Sequence, residues 1–415
     1  MKKSVLAVAI AAAAFAASAA SAAQVYDKDG TTLAVGGQIE FMAGNAGNTY
    51  FSNKSADATT RDRARLTMAG RTQLTSNIAA YAYNEWQADH SGNSEEKADI
   101  KARQQFLGVD FGNFGKVQMG RYKDPFVFAS SVVDVLDEVG VFGGNDERNS
   151  GHLSYMWQGF GFNAGISYQF AEDAYKTDTV GAFDVDSGFS LYAGYTSPAV
   201  LFGPISVRAG YLYLKGQDKN DSPTVFGNGS KDKPAVLGYE YDEHGNKTDI
   251  KGYYSYAVDN LKTIDGSLSW GTNGKGLYLA TNYNYAKASL QDGVLVAAGN
   301  LFSIDTTLES IKTKAWETVA TYGFENGIRL GASYHYINTK LTALDGDEDS
   351  TQKYVQLIAD YNVTPNFKIW AETCIDAGSD DYAQKITNTT FVDKNGLSTD
   401  KDGHNSVMFG ARYVF

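Results

Sequence analysis

In RARLTMAGRTQL, residues 63–74, Arg63, Arg65 and Arg71 fall at even spacings. In an extended chain they share one face, opposite Leu66 and Met68. Guanidinium groups gathered this way pair with carboxylates, bind anions or border water. They do not face lipid, where an Arg costs about 2–4 kcal/mol at the bilayer midplane. Carboxylates of complementary placement occur in KDPFVFASSVVDVLDEVGVFGGNDE, residues 123–147, as Asp134, Asp137 and Glu138. A loop carrying them across a pore, facing the arginines, would set up a transverse field that orients dipolar solutes. Hydrolytic chemistry has less support. GxSxG and HExxH are absent, and His90, His152, His244 and His404 are scattered. Ser333 and His335 share one strand face, at a spacing poorly suited to a Ser–His contact. The DKDG segments at 27–30 and 400–403 lack the Gly and distal Glu of a calcium loop and read as turns. The acidic DGDEDS at 345–350 reads as a solvated loop. No metal, cofactor or enzymatic activity is expected.

The elements that must hold these charges are strands. In FNAGISYQF, Phe162, Ala164, Ile166, Tyr168 and Phe170 oppose Asn163, Gly165, Ser167 and Gln169. The same period-2 alternation runs through GFSLYAGYT at 188–196, ISVRAGYLY at 205–213, IRLGASYHY at 328–336 and FKIWAETC at 367–374. It ends the chain in FGARYVF, where Arg412 is the charge on the less apolar face. It is muddled over 277–287 and 311–322. Short connections rich in Asn, Gly and Pro (76–77, 112–115, 158–161, 197–203, 272–276, 325–327, 362–366) alternate with long polar ones (44–60, 89–100, 122–148, 171–187, 216–260, 288–309, 340–351, 376–403). Fifteen connections imply sixteen strands. An even count with short turns at one end and long loops at the other is the pattern of bacterial outer-membrane barrels. A secreted β-sandwich also alternates, but its strands average about 5–6 residues. Those read here run to about nine to eleven, enough to cross a bilayer when tilted.

The compartment follows from the other end. MKKSVLAVAIAAAAFAASAASA has Lys2 and Lys3, a short apolar run and small residues at Ala20 and Ala22, the form of a signal peptide cut after Ala22. Residues 23–415 then form one barrel domain. No later run of about 18 apolar residues offers a membrane helix, so a membrane form of this chain must be a closed barrel. The net charge of −12 argues against nucleic acid as a partner. The lone Cys374 excludes an internal disulfide and reads as a packed residue. Tyr213, Tyr336, Tyr361, Tyr413 and Phe415 suit aromatic girdles at the two interfaces.

These segments resemble the trimeric general diffusion porins of Gram-negative outer membranes. AQVYDKDGTTL at 23–33 is similar to the family's opening segment, RARLTMAGRTQL to its second strand and FGKVQMGRY at 114–122 to its fifth. The terminal aromatic strand fits the family's assembly signal. The resemblance implies a third loop folded into the barrel and a basic constriction wall at Arg65, Arg103 and Arg148. Gln38 stands where the family is usually basic. It implies an acidic position at Asp137. The family's Pro-Glu-Phe-Gly-Gly tip reads Gly140-Val141-Phe142-Gly143-Gly144, so the usual Glu is missing and Asp134 or Glu138 would substitute. It implies a subunit latch from Glu95 to Arg121 in a homotrimer.

The expectation is therefore an all-β, 16-stranded antiparallel transmembrane barrel with short periplasmic turns, long extracellular loops and an inward-folded third loop. It would be a water-filled pore for passive diffusion of small hydrophilic solutes and ions, mildly cation-preferring. Its partners would be outer-membrane lipid, lipopolysaccharide, two further copies of itself, and the barrel-assembly machinery through Phe415. A sugar- or phosphate-selective channel is the alternative, although the inward aromatics Tyr81, Tyr83, Tyr192 and Trp370 are read as dispersed. A barrel enzyme is the more distant one.

Overall fold

The computed structural model describes residues 22–44, 59–91, 100–137, 148–177, 179–218, 235–241, 247–255, 257–291, 294–297, 300–303, 308–343, 346–379 and 406–415. Sixteen strands follow one another around a closed sheet. They are β1 (Thr31–Gly44), β2 (Thr59–Gln73), β3 (Ala79–Ser91), β4 (Ile100–Asp110), β5 (Lys116–Lys123), β6 (Arg148–Gly159), β7 (Phe162–Gln169) and β8 (Gly181–Val200). The circuit continues through β9 (Gly203–Gly216), β10 (Val258–Thr272), β11 (Lys275–Leu290), β12 (Leu308–Gly323), β13 (Ile328–Ala343), β14 (Gly346–Thr364), β15 (Phe367–Asp376) and β16 (Ser406–Val414). Each pairs antiparallel with its sequence neighbours. β1 closes the circuit by pairing with both β2 and β16, Gln38 lying opposite Arg65 on one side and Val414 on the other. The seam is completed by Gly37 and Phe415, which exchange backbone hydrogen bonds of 2.8 and 3.0 Å. Closure leaves the sixteen barrel strands, as far as they are described, without an unpaired edge.

Alternation along the strands becomes an outside and an inside. On β7, Phe162, Ile166 and Tyr168 are 54, 49 and 46 % exposed, whereas Ser167 and Gln169 are 2 and 1 %. Ile39, Leu107, Met119, Leu191, Val207, Ile264 and Leu330 extend the outer apolar surface around the barrel. A surface of this extent is a membrane-facing surface, not that of a soluble sandwich. The girdle candidates Tyr213, Tyr336, Tyr361, Tyr413 and Phe415 are all half-buried or exposed on the outer side.

Three features differ from the sequence reading. The 340–351 segment is not a long loop: pairing of β13 with β14 continues out to Ala343 opposite Gly346. Thr339, Leu341 and Thr342 keep strand geometry although the acidic residues that follow suggest a turn. The long connections also hold structure of their own. Glu172–Thr177 pairs with the start of β8, and Ala235–Tyr241, Lys247–Ser255, Val294–Ala297 and Asn300–Ser303 form a separate four-stranded sheet. Finally, the inner face is not polar throughout. Toward the long-loop end, Val185, Leu212, Leu214, Leu261, Ala286, Ala288 and Ile311 point inward and are buried together with Phe126, Tyr175 and Phe183.

Candidate functional site

The segment after β5 enters the barrel. Asp124 caps a short 3-10 turn, Pro125–Phe128, its Oδ1 accepting from Phe126 N at 2.8 Å. The same buried carboxylate accepts from Ser167 Oγ at 2.5 Å and from Ser190 Oγ, both on the inner wall, and lies 3.3 Å from His152 Nδ1. Glycines make this close approach possible. A Cβ at Gly165 would stand 2.8 Å from Pro125, and one at Gly210 would stand 2.9 Å from Phe126. The segment then follows the wall. Ser267 Oγ donates to Ala129 O at 2.5 Å and Tyr278 OH to Val132 O at 2.6 Å. Val132, Val133 and Val135 pack on Tyr278, Ala280 and Val319.

At its far end Asp137 is held from several directions. Lys368 Nζ lies 2.6 Å from its carboxylate and Arg412 Nη1 lies 2.7 Å away. Its backbone N–H donates to Glu372 Oε1 at 2.5 Å. Burial alone would raise this carboxyl, but Lys368 and Arg412 outweigh it and hold it below the ordinary range. Arg412 also pairs with the buried Glu40 at 2.5 Å. Glu40 accepts from Arg63 at 3.2 Å and from Trp370 Nε1 at 3.3 Å. Arg63 continues to Asp89 at 3.1 Å, and Arg61 lies 3.4 Å from the same carboxylate. A ladder of alternating charge thus runs around the inner wall from Lys368 through β16, β1 and β2 to β3. Each charge has a counter-charge beside it, the condition under which buried ions are tolerated.

Arg65 and Arg103 are brought together beside this ladder. Arg65 Nε donates to Gln87 Oε1 at 2.6 Å, and Arg103 pairs with the buried Glu85. Arg63, Arg103, Arg148 and Glu85 all lie within electrostatic reach of Arg65. Arg148 opens β6 opposite Lys123, and Lys123 Nζ is 3.9 Å from Asp134. Gln38 is buried on the inner face of β1, paired in register with Arg65. Arg121 is half-buried on β5, donating to Ala102 O at 3.2 Å. Glu95, Glu138, the 140–144 tip and residues 1–21 lie outside the described residues. Glu40, Glu85, Asp89, Lys368 and Glu372 were not singled out by the sequence reading as site residues. Their parity was available: Glu85 and Asp89 share the face of Tyr81 and Tyr83, and Glu40 is two residues from Gln38.

Two sequence expectations need correction. Ser333 and His335 do meet: Oγ lies 2.8 Å from Nε2, and Nδ1 lies 2.9 Å from Glu317 Oε1. The imidazole bends back along the strand and stacks on Tyr354, which closes the i, i+2 gap. The triple is nevertheless poorly placed for acyl transfer. Ser333 Oγ also donates to Gln356 at 2.9 Å, both side chains are nearly buried, and the neighbouring backbone amides belong to the β12–β13–β14 ladder. Among the described residues the backbone there offers no spare oxyanion donor, and the free N–H of Gln356 Nε2 is itself fully buried. Nor are all the inward aromatics dispersed: Tyr81, Tyr83 and Tyr122 each contact Phe106, at 6.5, 5.2 and 5.5 Å between ring centroids. The three tyrosines are buried and form packing, not an open slide. Cys374 packs against Ala315, Ile337 and Tyr354 as an apolar residue.

Known proteins agree with this architecture. The sequence profile of the Gram-negative porin family matches residues 7–373. The putative outer membrane porin protein NmpC of Escherichia coli K12 is 25 % identical, the match covering 96 % of this chain and 97 % of that one. Outer membrane porin protein OmpD of Salmonella typhimurium is 26 % identical over the full length of both. Among solved structures, Salmonella typhi OmpF in complex with daunomycin superposes with a TM-score of 0.61 at 18 % identity, over 95 % of this chain and all of that one. Outer-membrane expressed OmpT of Vibrio cholerae gives 0.60 at 18 %, over 94 % of this chain and all of that one. With a closed sixteen-stranded barrel, an apolar exterior and a family match across most of its length, the chain belongs to the Gram-negative porins.

Proposed function

We propose that this chain forms a water-filled channel through the outer membrane, along which small hydrophilic solutes and ions diffuse passively. The observation that carries the reading is the contrast between the two faces of one closed sheet. Outside are Ile39, Leu191 and Leu330, exposed; inside, charges pair along β15, β16 and β1 to β3. A barrel of this strand number is too wide for side chains alone to fill. Arg65, Arg103 and Arg148, with Gln38, form the basic wall of the constriction. Asp134, Asp137 and Glu138 form its acidic counterpart on the inner segment. The acidic net charge supports a mild cation preference. Short turns face the periplasm and long loops face outward, where they meet lipopolysaccharide. Residues 1–22 are removed on export, Phe415 serves recognition by the assembly machinery, and three copies associate with Glu95 latching onto a neighbour's Arg121.

Single-channel recording of the purified protein in a planar bilayer tests this reading. The expected record is conductance closing in three equal steps, with a reversal potential in a KCl gradient of cation-preferring sign. Absence of conductance refutes the channel. A single step refutes the trimer, and an anion-preferring potential refutes the selectivity.

A further inference from the structure

Below the inner segment, at the short-turn end, the barrel encloses a cavity of about 610 Å³ outside the charged ladder. This lies within the ~300–1,000 Å³ typical of small-molecule sites. Its lining includes Arg71, Lys116 and Arg208 and a single carboxylate, Asp110, so the lining is positive in a protein of net charge −12. Asp110 is already committed: it pairs with Arg71 at 3.0 Å and accepts from Gly112 N at 2.9 Å. Arg208 is fixed by Ser131 Oγ at 2.6 Å, Phe128 O at 3.1 Å and Ser206 Oγ at 3.2 Å. Lys116 is half-buried and paired through its backbone in β5, but its ammonium makes no hydrogen bond or ion pair with the described residues. One wall is aromatic, with the Phe128 and Tyr192 rings 5.8 Å apart and tilted 51°. Phe128 belongs to the inner segment, so docking of that segment supplies half of this aromatic wall.

We propose that this cavity is a binding site for small organic anions with a flat apolar body, such as aromatic carboxylates. The carboxylate pairs with Lys116 and Arg71, and the ring lies against Phe128 and Tyr192. An inorganic anion satisfies only the cations, and a neutral aromatic only the rings. Retention of such a solute at the inner mouth slows its exit relative to a small ion. The proposal rests on the channel reading, which it deepens.

The test uses full-length protein in planar bilayers at 0.1 M KCl, where charges are only moderately screened. 2-Naphthoate is added on the short-turn side, and detergent-solubilised protein is titrated with it by calorimetry. Expected are transient current interruptions and saturable binding with 2-naphthoate, and neither with acetate or 2-naphthalenemethanol at equal concentration. Lys116→Gln and Tyr192→Leu should each weaken binding by about fivefold, the scale of one partly exposed polar or ring contact. Lys275→Gln, at the exposed start of β11 and outside the cavity, should leave binding unchanged. Normal KCl conductance without interruption or calorimetric binding overturns the site and spares the channel. Absent KCl conductance overturns the channel, and calorimetry alone then decides the site. Equal effects of acetate and 2-naphthoate show nonspecific screening and overturn the proposal. So does binding unchanged in both cavity variants.

Discussion

Asp137→Asn removes the charge that fastens the inner segment while keeping side-chain volume. The carboxylate has Lys368 at 2.6 Å and Arg412 at 2.7 Å, and its side chain is only 5 % exposed. Breaking a fully buried ion pair costs about 3–5 kcal/mol because the partner charge is stranded. Here the cost is lower, since Lys368 and Arg412 are each 20 % exposed and Arg412 keeps Glu40. About 2 kcal/mol is a reasonable magnitude, which by linkage is about a thirtyfold rise in the opening constant of the docked segment. The barrel itself should be untouched, because the backbone pairing between its strands does not involve Asp137. The assay is hydrogen exchange by mass spectrometry on the peptide spanning Val133 to Asp137. In it, Val133 N donates to Ser130 O at 3.0 Å and Asp137 N to Glu372. Exchange there should quicken about thirtyfold while β1–β3 peptides keep their protection. A change under threefold in the segment would refute the idea that this ion triplet holds it down. Equal loss across the barrel strands would show a general folding defect.

Acid should act on the same contact. The Asp137 carboxyl is held below its ordinary value, so its stabilisation is complete above the unfolded carboxyl value of about 3.9 and is lost as pH falls through the lower folded one. Exchange of the segment, corrected for intrinsic rates, should therefore be flat from pH 7 to 5 and rise only below about pH 4; a transition near pH 6 would assign control to another group. Spin labels at Ile166 and Leu330, which are 49 and 47 % exposed on the outer face, should report hydrocarbon, while one at Ser167, 2 % exposed, should not. Water at the first two and hydrocarbon at the third would invert the barrel.

The alternation of β7, β9, β13 and β16 was readable directly, because a strand's period of two depends only on local geometry. So was the sense of its faces wherever lipid lies on one side and polar groups on the other. It failed over β11 and β12 for a physical reason. There the inward residues Tyr278, Ala280 and Val319 pack under Val132, Val133 and Val135, and Ala286 and Ile311 join the inner apolar cluster. With apolar residues on both faces, a parity test has nothing to discriminate. Strand ends were also misjudged where a hairpin extends past the outer apolar surface, as from 340 to 351.

For the candidate site, the sequence by itself determined the supply of charge: Arg63, Arg65 and Arg71 on one face, Arg412 and Lys368 on others, and Asp134 and Asp137 in one long connection. Those assignments need only the covalent order and the pleat. Which charge meets which was decided by closure of the sheet and by the path of the inner segment. Asp137 reaches Lys368 and Arg412, 231 and 275 residues away in the chain, and Glu40 meets Arg412 only because the first and last strands pair. Coulomb energy depends on distance in space, and in a closed barrel the residues farthest apart in sequence are neighbours across the seam.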